Sequence, residues 1–187
     1  MIPTPYPVTV ETGGISGATG QSIQLQSVGS MPYSFYVYKQ VYGANGKPLE
    51  GVYADVNGDG AVTPDDRYLY KSPYPKVTMG FSTDFTYKKW TLNTVLRANL
   101  GNYVYNNVAA NLGVSRNILS TSGIINNAST DFYNTLFSNN QYQSDYYVQN
   151  ASFLRMDNAG LVYNFGRITH NNPVSYTHLT LPTNREV

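Results

Sequence analysis

Cysteine is absent from the 187 residues, which excludes disulfide staples, thiolate catalysis and cysteine-ligated zinc. Charge is scarce as well. Asp, Glu, Lys and Arg supply 12% of the chain, about half the usual share, which argues against a coiled coil or a charged disordered tail. Twelve basic and eleven acidic side chains are scattered to a formal net charge of +1. That leaves no electrostatic footprint for DNA or RNA, and no nucleic-acid partner is expected. No apolar run approaches the roughly 18–20 residues of a membrane-spanning helix. The opening Met1-Ile2-Pro3-Thr4-Pro5-Tyr6-Pro7 has neither the basic nor the apolar region of a signal peptide. The expectation is a cytosolic protein or a true start further upstream. The two histidines, His170 and His178, have no partner cluster, which argues against a catalytic triad or His-ligated zinc.

What is present is tyrosine, 18 residues of it, and alternation. Val77 to Tyr87 places Val77, Met79, Phe81, Phe85 and Tyr87 on one side and Thr78, Gly80, Ser82, Asp84 and Thr86 on the other. After Lys88 and Lys89 the pattern resumes, with Trp90, Leu92, Leu96, Ala98 and Leu100 opposed to Thr91, Asn93, Arg97 and Asn99. Two residues between two alternating runs predict a tight hairpin. Residues 34–42 are rich in aromatic and β-branched types, and residues 152–166 alternate again through Ala159, Leu161, Tyr163 and Phe165. The parity of that last run slips near Met156 and Asp157, which predicts a bulge or an early part outside the membrane.

The chain reads as mostly antiparallel β, with two very long connections, residues 43–76 and 102–151, set against one minimal turn. Compact soluble domains rarely carry such connections. Long loops on one side, tight turns on the other, and runs long enough for a tilted membrane strand of about 9–11 residues suit an outer-membrane β-barrel. Phe85, Tyr87 and Trp90, near the turn, would then sit in an interfacial aromatic girdle. A soluble β-sandwich with one polar face explains the alternation equally well. The Asn- and Tyr-rich connection 102–151 offers amides and aromatic faces suited to sugars or peptides, although surface loops are commonly Asn-rich. Arg97 and Arg155, in strand-like runs, read as structural residues of a lumen or rim.

One motif is sharp. From Asp55 to Asp66 the sequence D-V-N-G-D-G-A-V-T-P-D-D fits a calcium loop of EF-hand type. Asp55, Asn57 and Asp59 place hard oxygens at positions 1, 3 and 5. Gly60 permits the sharp turn, the Ala61 carbonyl supplies position 7, and Thr63 stands at position 9. Asp66 replaces the usual Glu at position 12, and its shorter arm predicts weaker or monodentate coordination. Thr63, Pro64 and Asp66 also form a good helix start, as N-cap, N1 and N3. An Asx- and Gly-rich turn that holds no metal fits the same residues. If Ca²⁺ binds, a structural role is expected.

Longer stretches carry a resemblance. They are GGISGATG at residues 13–20, FYVYKQVYG at 35–43, GKPLEGVYADVNGDG at 46–60, PYPKVTMGF at 73–81, LGNYVYN at 100–106 and SFLRMDNAGLVYNF at 152–165. In this order they resemble the SusC/RagA-type TonB-dependent outer-membrane transporters of Bacteroidetes-like bacteria. The resemblance implies a large barrel with an N-terminal plug in the bacterial outer membrane, surrounded by lipid and importing glycan or peptide substrate. It further implies energy from the TonB system and a SusD-like surface lipoprotein as lid. Residues 1–172 look like the C-terminal part of such a barrel, a partial barrel without plug or TonB box. Residues 173–187 depart from the pattern and read as a non-native tail.

No pair of carboxylates is spaced for glycosidase chemistry, so the chain is not expected to be an enzyme. The alternatives are a secreted dockerin-like calcium module, which would want two such loops leading into helices, and a soluble carbohydrate-binding β module.

Overall fold

The computed structural model describes residues 8–15, 18–118, 125–166 and 177–180. The strands in chain order are β1 (Val8–Ile15), β2 (Ala18–Ser27), β3 (Ser34–Val37), β4 (Gln40–Tyr42), β5 (Pro48–Tyr53) and β6 (Tyr68–Leu69). They continue as β7 (Val77–Tyr87), β8 (Trp90–Leu100), β9 (Tyr103–Tyr105), β10 (Val148–Asn150), β11 (Phe153–Tyr163) and β12 (Thr177–Thr180). Two short helices, α1 (Asn107–Leu112) and α2 (Phe132–Thr135), interrupt the second long connection. The strands pair antiparallel, as the alternation predicts. Among the described residues no helix is long and apolar enough to cross a membrane, which says nothing of crossing by strands. The expected non-native tail and the side chains of His170 and His178 lie outside the described residues, apart from the backbone of β12.

The chain divides into two units, Met1–Tyr74 with Asn102–Ala151, and Pro75–Gly101 with Ser152–Val187. The second unit is one sheet in the order β12-β11-β8-β7. Strands β7 and β8 pair without a shift from Val77↔Leu100 to Tyr87↔Trp90, so the Lys88-Lys89 hairpin is as short as the sequence predicts. Lys88 sits at φ +55°, in the left-handed region that two-residue hairpins demand. Strand β11 pairs with the other edge of β8 and shifts register once, between Met156 and Asn158. That is the bulge the parity slip predicts. Without it, Ala159, Leu161 and Tyr163 would fall on the face of Arg155; the extra residue returns them to the face of Leu154 and Met156.

The register therefore gathers Met79, Phe81, Phe85, Leu92, Leu96, Leu154, Met156 and Leu161 on one face. Apart from the half-buried Leu96, these side chains are exposed, from 38% at Leu161 to 74% at Leu154. Near the turn, the Trp90 and Phe165 rings each lie 4.6 Å from that of Tyr163.

In the first unit the two long connections do not run as extended loops. They fold together with the β1–β2 hairpin, which sequence reading did not single out. Residues 34–42, expected as one strand-like run, break at Tyr38 and Lys39 into β3 and β4, which join different sheets. The break occurs because Tyr38 turns to pair in parallel with Ser144, donating to the Gln143 carbonyl at 2.8 Å and accepting from Asp145 N at 3.0 Å. Ile15, Ile23, Phe35, Val37 and Val148 form the core, flanked by Tyr68, Tyr103, Tyr105 and Tyr142. A second cluster joins Ala109, Ala110 and Tyr147.

The abundance of tyrosine follows from this architecture. Short strands offer few aliphatic layers, whereas a tyrosine buries a large ring and still supplies a hydroxyl to satisfy loop polar groups. Tyr53 donates to Gln141 Oε1 at 2.7 Å, Tyr68 to Asp145 Oδ2 at 2.7 Å and Tyr105 to the Tyr142 carbonyl at 2.7 Å. Burial pushes the Tyr53 hydroxyl up to about 12, so it stays a donor through the physiological range.

Gln40, 4% exposed, ties the connections together. Its Nε2 donates to the Leu49 and Val52 carbonyls at 2.7 and 3.2 Å, its Oε1 accepts from Ser144 Oγ at 2.7 Å, and its backbone amide donates to Asp145 Oδ1 at 3.0 Å. Gln40→Leu adds apolar surface but strands the buried Ser144 hydroxyl and two carbonyls. Each stranded group costs about 1–3 kcal/mol. The variant is expected to lower the denaturant midpoint of the first unit by the equivalent of about 3 kcal/mol or more, while Gln40→Glu or Gln40→Met, equal in length, separates loss of the donor from loss of both groups.

Candidate functional site

The calcium-type loop joins β5 to β6. Its fold is dictated by short acceptor side chains that capture the backbone amides a few residues on. Asp55 accepts from Gly58 N at 2.6 Å and Gly60 N at 2.8 Å. Asn57 Oδ1 accepts from Asp59 N at 2.8 Å, and Asp59 Oδ1 from Ala61 N at 2.9 Å. Gly58 and Gly60 stand at φ +77° and +87°, conformations that only glycine adopts without strain. The sharp turn expected at Gly60 is present.

The end of the loop is a capping box. Thr63 is the N-cap of a single 3-10 turn, Pro64–Asp66, and its hydroxyl accepts from Asp65 N at 3.3 Å. Asp66 is fully buried and reaches back: Oδ2 accepts from Thr63 N at 2.7 Å, while Oδ1 accepts from Val56 N at 2.8 Å and Asn57 N at 3.1 Å. The Thr63, Asn57 and Val56 amides hold the Asp66 carboxyl below the usual carboxylate range. The helix start read from the sequence is thus in place, one turn long, with Asp66 aimed into the loop.

The six residues singled out therefore share one loop, but the side-chain oxygens of Asp55, Asn57, Asp59, Thr63 and Asp66 are engaged with backbone amides. Among the described residues no three carboxylate or imidazole side chains converge as metal ligands do. The donor set still suits a hard cation. A carboxylate oxygen that accepts one amide keeps a second lone pair, and Asp55, Asn57 and Asp59 are largely exposed.

Other charged groups bridge segments far apart in sequence. Glu50 accepts from Ser138 N at 2.9 Å and Asn139 N at 2.7 Å, anchoring one long connection to the other. Burial works against its ionisation, but these amides outweigh it and lower its pKa. On the sheet of the second unit, Asp157 in the β11 bulge lies between Arg97, at 3.2 Å from Nε, and Arg155, at 3.3 Å from Nε. Sequence reading placed both arginines on a polar face but missed Asp157 as their partner. The parity slip at that residue was the available signal.

Over 165 residues the chain is 41% identical to the TonB-dependent receptor SusC of Bacteroides thetaiotaomicron, matching 83% of this chain and 16% of that protein. The chain belongs to the SusC/RagA-type TonB-dependent receptors. A TonB-dependent receptor of Formosa agariphila is 30% identical over 173 residues, 80% of this chain and 17% of that one. The chain thus spans about one sixth of the length of these curated relatives, 16% and 17%. Two structures of the RagAB peptide importer share the fold. One has a TM-score of 0.53 at 18% identity over 87% of this chain and 21% of its own, the other 0.52 at 22% over 80% and 18%. No family model matches the sequence. The relatives are TonB-dependent receptors and a peptide transporter, and the described residues of this chain form antiparallel strands without a closed barrel.

Because Asp66 closes the loop through three amides, Asp66→Asn, which swaps one acceptor oxygen for a donor, is expected to speed hydrogen exchange at Val56, Asn57 and Thr63 several-fold. Asp65→Asn, exposed and outside the clamp, should leave those amides unchanged.

Proposed function

We propose that this chain is a stretch of an outer-membrane TonB-dependent transporter that imports oligosaccharides or peptides, with strands β7, β8 and β11 forming part of its barrel wall. The observation that carries the reading is the asymmetry of that sheet. One face presents large, mostly exposed apolar side chains on either side of a Thr83–Thr94–Ala159 rung, and the other is mostly polar, presenting Thr, Ser, Asn and the Arg97–Asp157–Arg155 group with Val95, Phe153 and Val162 among them. A soluble sheet would have to cover the first face; a barrel wall turns it to acyl chains and turns the polar face to the lumen. With the tail set aside, the outer edges of β7 and β11 call for further native strands, because unpaired backbone groups are not tolerated in lipid. In this reading Trp90, Tyr163 and Phe165 sit at the interfacial girdle, and the Lys88-Lys89 turn is periplasmic. Residues 1–172 are the barrel-derived part, a SusD-like lipoprotein caps the transporter, and energy arrives from TonB through a plug supplied by the rest of the protein.

In cells expressing the complete gene that encodes this segment, the protein is expected in the outer-membrane fraction, and oligosaccharide or peptide uptake should require both the gene and TonB. Leu96→Arg, on the apolar face near the middle of β8, should cost about 2–4 kcal/mol of folding stability in lipid, whereas Asn93→Arg, on the polar face, should be nearly neutral. Recovery of the segment as a water-soluble, monodisperse, glycan-binding monomer would overturn the assignment.

The loop from Asp55 to Asp66 is, in the same proposal, a structural Ca²⁺ site with Asp55, Asn57, Asp59, the Ala61 carbonyl, Thr63 and Asp66 as its oxygen donors. Bound Ca²⁺ would order the exposed half of the loop. Chelation is expected to increase proteolytic nicking between Asp55 and Ala61, and Ca²⁺ but not Mg²⁺ should reverse it; protection that is indifferent to chelation and to Asp59→Ala would remove the ion from the account.

A further inference from the structure

We propose that Arg97 and Arg155 form a carboxylate-binding site on the polar face of the sheet, a site that takes the acidic group of a transported molecule. The inference rests on the transporter reading in placing that face toward the lumen. Register sets the geometry. Arg97 of β8 and Arg155 of β11 are direct partners across the strand pair, an arrangement that like charges disfavour. Asp157 relieves it only in part. Its Oδ2 lies 3.2 Å from Arg97 Nε, and its Oδ1 lies 3.3 Å from both Arg97 Nη2 and Arg155 Nε. Two guanidiniums against one carboxylate leave a surplus of one positive charge.

Donors remain as well. Each guanidinium carries five N–H groups in a planar fork. Arg97 uses Nε and Nη2 toward Asp157 and Arg155 uses Nε, so Arg97 Nη1 and both terminal nitrogens of Arg155 are left over from the Asp157 contact among the described residues. The two side chains are 49% and 54% exposed. Across the other edge of β8, the partner of Arg97 is Gly80, and a Cβ built there meets no atom within 4 Å. That rung is bare, which opens an approach to the guanidinium. The Phe153 ring, 6.0 Å from Arg97 Cζ, supports it from the side. Ser82 and Asn158 lie on the same face and add neutral hydrogen-bonding groups, and Asp84 is the other charged residue that the register places there.

The bulge is what makes this arrangement possible. It leaves Asp157 between rungs, free to reach both arginines, and it restores the apolar face beyond. A planar two-oxygen anion matches adjacent guanidinium forks better than it matches ammonium groups. The ligand chemistry is therefore a carboxylate, supplied by a uronic acid in an oligosaccharide or by an acidic side chain or C-terminus in a peptide.

The first test uses the complete transporter in detergent micelles, with arginine Nε–H resonances followed during titration with acetate and, as a neutral control, acetamide. Saturable shifts of Arg97 and Arg155 with acetate alone are expected, weakened at least about tenfold in Arg97→Gln/Arg155→Gln. Asp157→Asn, which raises the local charge from +1 to +2, should tighten acetate binding; a merely structural trio would lose order and gain no affinity. Absence of saturation, or shifts that ignore both variants, overturns the site whatever the chain transports. The second test compares uptake by the complete transporter of a uronate oligosaccharide with its methyl ester, and of a Glu-containing peptide with its Gln analogue. In Arg97→Gln/Arg155→Gln the acidic member of one pair should lose uptake through a higher KM, and which pair responds identifies the source. Equal loss for acidic and neutral members overturns the proposal. Failure of the wild type to transport either pair would count against the transporter reading and leave the acetate result standing.

Discussion

Hydrogen bonding along both edges of Trp90–Leu100 is the constraint from which the second unit follows. A strand paired on both sides cannot rotate or slip, because a one-residue shift would move every side chain to the opposite face. The register with Val77–Tyr87 fixes which residues share a face with Leu92 and Leu96, and Phe153–Tyr163 must then adopt the same assignment. Its sequence complies for Phe153 to Met156, falls out of phase, and complies again from Ala159 on. The bulge is the least disruptive solution, since a single unpaired residue replaces the reversal of five. Asp157 acquires its two arginine neighbours as a direct result.

The first unit obeys a different constraint. Its segments are too short to satisfy their backbone within long ladders, so side chains complete the work. Glu50 accepts from main-chain amides 88 and 89 positions away and Asp145 from one 105 positions away, while Gln40 joins the nearby Leu49 and Val52 carbonyls to the side chain of Ser144, where an ordinary sheet would use another strand. Tyrosine serves the same purpose from the apolar side. Tyr105 and Tyr147 meet edge to face at 6.1 Å within the core while the Tyr105 hydroxyl reaches a carbonyl. A low content of formal charge and a high content of amide and phenol groups are what such packing requires.

Legibility in the sequence tracks the range of the interactions. The β7–β8 hairpin, the polar and apolar faces, the bulge and the capping box at Thr63 to Asp66 all arise from patterns within about a dozen residues, and each could be read from spacing alone. The break at Tyr38 could not. Residues 34–42 have uniform β propensity, and the chain turns there only because Ser144 and Asp145, more than a hundred residues on, supply a competing partner. The anchoring of Glu50 on Ser138 and Asn139 is hidden for the same reason. Arg97 and Arg155 stood out as polar residues in strands, but their adjacency depends on the register between β8 and β11, which are far apart in sequence. The family resemblance was legible because it samples many short motifs in fixed order, and order is insensitive to how distant segments pack.

The loop from Asp55 to Asp66 shows how a residue substitution redistributes work within a motif. A Glu at the last position would extend its carboxylate toward the centre of the loop. Asp66 has one methylene fewer, and its oxygens meet the amides of Val56, Asn57 and Thr63 at hydrogen-bonding distance, so the two ends of the loop are held together by the backbone. Closure then does not depend on an ion. Asp55, Asn57 and Asp59, in the exposed half, carry the oxygen atoms with capacity left over, and any cation held there acts on the order of that half alone. The motif separates a clamp from a set of donors, and the clamp positions the donors at the start of the turn that leads into β6.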